Sequence, residues 1–79
     1  MSAKSFLEYT VPWLVDHPEE IEITETEGER ADVVYELTVH PDDMGKIIGK
    51  RGRIIRSLRA VARAAGTDDG RSVSVEVVD

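Results

Sequence analysis

Four consecutive residues, Gly49-Lys50-Arg51-Gly52, have the composition of a loop that holds phosphate groups. Glycine lets a phosphodiester backbone approach closely because it has no Cβ atom. Lys50 and Arg51 place two positive charges between the glycines. If a helix begins directly after this tetrapeptide, its free N–H groups and its dipole also favour an anion there. These residue types at this spacing predict a clamp on a chain of phosphates.

The tetrapeptide lies inside a basic segment of an otherwise acidic chain. Residues 44–67 have a charge of +7 and contain no Asp or Glu, whereas the remainder of the 79 residues has a charge of −13. The net charge of −6 alone would argue against a polyanionic partner. A solvated helix face is the alternative explanation of such a run, but it would normally contain interspersed acids. The distribution therefore favours a localised anion-binding surface.

Other chemistry finds little support in the sequence. There is no cysteine, which excludes disulfides, thiolate metal sites and cysteine nucleophiles. Gly45 and Gly49 are separated by three residues, and Arg51 stands where a nucleotide-binding P-loop requires Ser or Thr. No serine, histidine and acid arrangement suggests a catalytic triad. We therefore predict no enzyme activity and no cofactor.

The histidines and paired acids also have structural interpretations. His17 and His40 are far apart in the sequence and show no metal-ligand spacing, so both are expected to be structural and no metal site is predicted. Asp42 and Asp43 are interpreted as residues that cap the start of a helix rather than as paired catalytic carboxylates.

The first element that could support the loop is a helix over residues 3–16, with Ser2 or Ser5 as its cap. Pro12 should kink or split this helix because it removes a backbone hydrogen bond. Trp13 is expected in the core, with a partner-binding face as the alternative. The apolar residues at helical spacing are Phe6, Leu7, Val11, Leu14 and Val15.

Strands are predicted from alternating apolar and polar residues over 20–27, 32–40 and 71–78. The short, glycine-containing link at 27–30 indicates that the first two strands form a hairpin. A helix over 41–48 and a second over 53–65 flank the tetrapeptide, and Gly66 should end the second helix. The order αββααβ predicts one domain over 1–79, a two-layer α+β fold with a three-stranded mixed sheet and helices on one face.

The longer string Ile48-Gly49-Lys50-Arg51-Gly52-Arg53-Ile54-Ile55 closely resembles the I-G-x-x-G-x-x-I signature of KH domains. The element order is similar to the type II arrangement. The segments 14–20 and 41–50 resemble the family of small stand-alone bacterial RNA-binding KH proteins called the KhpA family. The resemblance covers the chain from about Leu7 to Val78.

The resemblance implies a protein that clamps about four nucleotides of single-stranded RNA with the G-x-x-G loop. It also implies an apolar base-binding groove, for which the matching positions are Ile47, Ile48, Ile55 and the outward side chains near Val34, Glu36 and Thr38. The RNA-binding residues predicted from the motif and its surroundings are Lys46, Ile48, Gly49, Lys50, Arg51, Gly52, Arg53, Ile55 and Arg56.

Further family properties are expectations of the same kind. Family members act as RNA chaperones of broad specificity, form homodimers and pair with a larger KH-domain protein, in pathways of cell division, cell shape and envelope synthesis. Low sequence specificity agrees with the residues, because the chain has no Asn or Gln and no aromatic side chain in its basic segment.

An interaction adaptor is the alternative function. The small core and the amphipathic, basic second helix would suit a protein that acts mainly by dimerising with itself or with another KH protein. The sequence shows neither a signal peptide nor a membrane-spanning stretch, so we expect a cytoplasmic protein without membrane contact.

Overall fold

The computed structural model describes residues 1–78, and within them the chain forms three α-helices and three β-strands in the order αββααβ. This order and the two-layer α+β class agree with the sequence prediction. None of the helices in the described part of the chain is long and apolar enough to cross a bilayer. The elements are α1 (Ala3–Thr10), β1 (Glu22–Thr26), β2 (Val33–Thr38), α2 (Met44–Ile48), α3 (Arg53–Asp68) and β3 (Val73–Val77).

Helix α1 begins at the predicted cap and ends before the proline. The Ser2 hydroxyl accepts a hydrogen bond from the Ser5 amide at 3.1 Å. The helix stops at Thr10, and a 3₁₀ turn continues it over Val11–Trp13, as expected for a chain that Pro12 splits. The core position expected for Trp13 is wrong, because its side chain is 77% exposed. It follows the fully buried Val11 by two residues and therefore lies on the opposite side of the turn.

Strand β2 is the centre of the sheet. It pairs antiparallel with β1, which confirms the hairpin, and parallel with β3. The side chains of Val33, Tyr35 and Leu37 are at most 2% exposed and face the helices. Because side chains alternate along a strand, the other face is uncovered by the helices and only half-buried. That outer face of β2 carries Val34, Glu36 and Thr38.

The helices and the inner face of the sheet enclose one apolar core. Helix α3 contacts α1, α2 and β3, and buries Ile55, Leu58 and Ala62. Helix α3 extends to Asp68, so the prediction that Gly66 ends it is wrong. Gly66 is buried instead, and a Cβ atom there would overlap the side chain of Val73. Glycine at this position allows the end of α3 to pack against the start of β3.

Candidate nucleic-acid interface

The tetrapeptide at 49–52 separates two helices, as the sequence predicted. Helix α2 ends at Ile48, and α3 begins at Arg53. Between them lie Gly49 and a short 3₁₀ turn over Lys50–Gly52, and three residues of this tetrapeptide have a positive φ, namely Gly49 (74°), Arg51 (55°) and Gly52 (73°). Two of these three positions are glycine, which adopts a positive φ without a steric penalty.

Gly49 and Gly52 require glycine for different structural reasons. A Cβ atom on Gly49 would overlap the side chain of Ile54 and lie 3.0 Å from the Ile54 amide nitrogen. A Cβ atom on Gly52 would lie 3.9 Å from its nearest neighbour, Ile55 Cγ2, which is an ordinary van der Waals contact. Gly49 is therefore required by close packing as well as by φ, whereas Gly52 is required by φ alone.

The backbone of the loop presents two amides without a hydrogen-bond acceptor in the described part of the chain. The Gly49 amide donates to Gly45 O at 2.8 Å, and the Gly52 amide donates to Gly49 O at 3.2 Å. Within residues 1–78, the amides of Lys50 and Arg51 have no such acceptor. Both residues are exposed, so these N–H groups are available to an anion from solvent.

Cationic side chains surround these amides. Lys50, Arg51, Arg53 and Arg56 are exposed, and in the part of the chain that the structure describes no carboxylate forms an ion pair with them. Their charges are therefore not compensated locally, and the field at the loop is positive.

Lys46 differs from the other predicted cations. Its Nζ atom lies 3.1 Å from Asp16 Oδ2 and 3.8 Å from Asp43 Oδ1. The hydrogen bond to Asp16 and the two negative charges raise the pKa of Lys46. Its charge is therefore already balanced by protein carboxylates, and less of its field reaches a ligand.

The apolar positions matched by resemblance do not assemble into one groove. Ile48 is 40% exposed and accessible beside the loop. Ile47 is fully buried, and Ile55 is only 7% exposed, so both are core residues. The strand positions Val34, Glu36 and Thr38 lie on the face of the sheet that is remote from the helices. This part of the expectation is corrected, because the strand period turns those side chains away from α2 and α3.

Arg59 has a role that the sequence did not reveal. Its Nε atom donates to Val75 O at 3.0 Å. Ser72 and Val78, which flank β3, bond to β2, so by alternation the carbonyl of Val75 points to the free edge of the sheet. Arg59 therefore joins the basic face of α3 to that edge.

Asp43 fixes the other end of α2 and occupies its N-cap position, as predicted, but its side chain does not act as a cap. Its side chain makes no capping bond and is fully buried. It accepts hydrogen bonds from the Asp16 amide at 3.1 Å, the His17 amide at 3.0 Å and His17 Nδ1 at 3.1 Å. Burial alone would raise the pKa of Asp43, but these hydrogen bonds outweigh it and lower the pKa. The charged carboxylate thus ties the 16–17 segment to the start of α2.

A family model and several individual proteins that match this chain carry the same family name. The family model described as "KhpA/KhpB, KH domain" matches residues 4–77. An RNA-binding protein KhpA from Oceanobacillus iheyensis is 49% identical over 95% of this chain and 99% of its own length. The proteins of the same name from Aquifex aeolicus and Clostridium acetobutylicum are 45% and 43% identical, over 100% and 95% of this chain and 100% and 99% of their own lengths. No solved structure gives a significant match.

Proposed function

This chain belongs to the KhpA/KhpB family of KH domains, and on that basis we propose that it binds single-stranded RNA through the loop at 49–52. Relatives along nearly the whole length of the chain are named RNA-binding proteins. The observation that carries the proposal is the pair of unbonded amides at Lys50 and Arg51, exposed among uncompensated cations. No enzyme activity is part of this function.

The loop would hold the RNA by its backbone. A KH loop of this type clamps about four nucleotides. The amides of Lys50 and Arg51 would donate to phosphate oxygens, and the side chains of Lys50, Arg51, Arg53 and Arg56 would neutralise the neighbouring phosphates. Such contacts set the position of the strand and are independent of its sequence.

Low sequence specificity is part of the proposal. The chain contains no Asn or Gln to read base edges, and its strongly exposed aromatic residues, Tyr9 and Trp13, belong to α1 and the turn after it. Only Ile48 among the apolar positions predicted beside the loop is open to a base. Affinity would therefore depend mainly on charge, with a minor apolar contribution.

Charge reversal in the loop tests the site. Changing Lys50→Asp and Arg51→Asp together should weaken binding of a labelled single-stranded RNA by at least roughly 100-fold in a polarisation assay. The matched control is the pair Lys4→Asp and Arg30→Asp, which changes the net charge equally at exposed positions outside the basic segment. Equal losses in both double variants would reject the loop as the binding site.

Salt dependence tests the mode of binding. With about four phosphates contacted, log K should fall against log salt concentration with a slope of about −3. A slope near zero would mean that phosphate neutralisation does not provide the affinity.

The finer family properties rest on the resemblance alone. We include in the proposal an RNA chaperone activity, a homodimer, a heterodimer with a larger KH-domain protein and a cytoplasmic location. Strand-annealing assays with and without the charge-reversed loop would test the chaperone activity. Crosslinking in cells, followed by sequencing of the attached RNA, would test whether RNA is the physiological partner.

A docking role is the second candidate function. The exposure of Tyr9 at 68% and Trp13 at 77% favours it, because large exposed aromatic side chains are enriched where proteins associate. Sedimentation over micromolar to millimolar concentrations should show a dimer that the change Trp13→Ala weakens. A monomer throughout that range would exclude self-association.

A further inference from the structure

Two histidines that are 23 positions apart meet at the end of α2 remote from the loop. The rings of His17 and His40 are stacked, with centroids 4.0 Å apart and planes inclined by 15°. Nothing in the sequence pattern predicts this pairing, because the contact depends on the Asp43 carboxylate that holds the 16–17 segment against α2.

Each imidazole has one ring nitrogen next to a carboxylate. His17 Nδ1 lies 3.1 Å from Asp43 Oδ2, and His40 Nε2 lies 3.5 Å from Glu20 Oε2. A carboxylate that receives one N–H group of a neutral imidazole fixes the lone pair on the other nitrogen, which is the common arrangement behind metal-binding histidines. The lone pairs are then on His17 Nε2 and His40 Nδ1. His40 Nδ1 indeed accepts a hydrogen bond from the Asp42 amide at 3.0 Å.

A third donor lies next to this pair. Asp42 Oδ2 is 3.8 Å from His40 Nδ1, and one ligand atom from each of His17, His40 and Asp42 lies within 4.8 Å of the others. We infer that these three residues form a binding site for a divalent transition-metal ion such as Zn²⁺. Two imidazoles and one carboxylate suit Zn²⁺ better than Mg²⁺ or Ca²⁺, and three protein ligands leave a fourth position for water.

Binding requires small movements that exposed side chains can make. Ligands at the corners of a tetrahedron around one Zn²⁺ at about 2.0–2.1 Å lie about 3.4 Å apart, so the widest pair must close by up to about 1.5 Å. The nearly parallel rings must tilt so that both lone pairs converge, and the ion takes the place of the Asp42 amide at His40 Nδ1. The side chains of His17, His40 and Asp42 are 36%, 26% and 78% exposed, which leaves room for this.

Titration calorimetry with ZnCl₂ on the untagged, metal-free chain tests the site. We expect one Zn²⁺ per chain with a Kd on the order of micromolar, and no response to MgCl₂. Asp42→Asn and His40→Gln should each weaken binding at least tenfold. The control Asp69→Asn removes an exposed acid at the end of α3 and should leave the Kd unchanged. Asp42→Asn is nearly isosteric and at the surface, so its effect is separable from unfolding.

Nitrogen NMR of the two imidazoles provides a second readout. Zn²⁺ should shift His17 Nε2 and His40 Nδ1 together and remove the mutual ring-current shifts of the stacked pair. The inference is overturned if no heat appears up to about 1 mM Zn²⁺. It is also overturned if the affinity is unchanged in Asp42→Asn and His40→Gln, or if the ring signals do not move. The inference is independent of RNA binding.

Discussion

The two ends of helix α2 differ in how completely their polar groups are hydrogen-bonded. At the N-terminal end, Asp43 is fully buried and its oxygens accept three hydrogen bonds from the 16–17 segment. At the C-terminal end, Lys50 and Arg51 are exposed, and their amides have no acceptor among the residues that the structure describes. The first end has the properties of an anchor, and the second has those of a surface that binds an external anion.

The loop at the C-terminal end of α2 depends on the anchor at the N-terminal end for its position. A helix of only five residues, as α2 is, has no stability of its own in water. Its position comes from the fully buried Ile47 and from the bonds to Asp43. Loop residues with positive φ can remain strained and unpaired because the elements on both sides are fixed.

Breaking the anchor should have the largest effect. The change Asp43→Ala removes a buried carboxylate that accepts hydrogen bonds from two backbone amides and one ring nitrogen. These groups would lose their acceptor, so Tm should fall by roughly 10 °C. RNA affinity should fall as well, because α2 no longer orients the loop. Asp42→Ala removes the exposed neighbour and should change Tm by less than about 2 °C in chelator-containing buffer. Equal Tm values for both variants would mean that Asp43 is not an anchor.

Alanine substitutions at Gly49 and Gly45 test two different effects. The first tests backbone strain in the loop, and the second tests helix propensity within α2. Gly49→Ala places a methyl group against Ile54 at a φ of 74°, so the free energy of unfolding should fall by about 1–3 kcal/mol. Gly45→Ala lies inside α2, where the new Cβ meets nothing within 4 Å, and should stabilise by up to about 1 kcal/mol. Urea denaturation measures both. A stabilised Gly49→Ala would contradict the loop geometry.

The pH dependence of stability tests the contact between His17 and Asp43 in the anchor. Hydrogen bonding to Asp43 raises the pKa of His17 above 6.5, so the stability from this pair is complete below about pH 6.5 and is lost as the pH rises through the raised pKa. The pKa of Asp43 is lowered from 3.8, so its contribution is lost only as the pH falls through that lower value.

The test compares His17→Ala with the unmodified chain. The difference in Tm between them should be larger at about pH 5.5 than at about pH 8.5, measured with chelator present. A difference that is independent of pH, or larger in alkali, would show that protonated His17 is not bound more tightly by the folded state.

The smallest effect concerns two cations, Lys46 within α2 and Arg53 at the start of α3. Lys46→Met removes a charge that Asp16 already balances, so RNA affinity should fall by less than about twofold. Arg53→Met removes an uncompensated charge beside the loop and should cost about three- to tenfold. The ratio of the two losses, measured at one salt concentration, checks the idea that local ion pairing decides which cations serve the ligand. A larger loss for Lys46→Met would refute it.

Sequence reasoning succeeded where a pattern is local. Period-two alternation located the inward face of β2, and the G-x-x-G spacing located the break between α2 and α3. Pro12 correctly predicted where the first helix divides. These features depend on backbone preferences of neighbouring residues and need no knowledge of the rest of the fold.

Long-range contacts were not accessible in the same way. Asp43 looked like a cap because its partners, Asp16 and His17, are 27 and 26 positions away. The His17–His40 stack and the Arg59 bond to the edge of β3 were missed for the same reason. The groove positions on β2 were assigned by resemblance to the outward side chains of the strand, and that face lies away from α2 and α3. Trp13 was expected in the core because the 3₁₀ turn was not foreseen.

In the proposed function, the main chain at the C-terminal end of α2 holds the RNA backbone. Titration of ¹⁵N-labelled protein with single-stranded RNA tests it directly, because each amide reports separately. The largest shifts should occur at the amides of Lys50 and Arg51, with the Asp16 and His17 amides at the anchor nearly unchanged. RNA binding by the loop would be contradicted if residues 49–53 were unaffected and the largest shifts occurred elsewhere. Such places are the anchor, the turn containing Trp13 and β1.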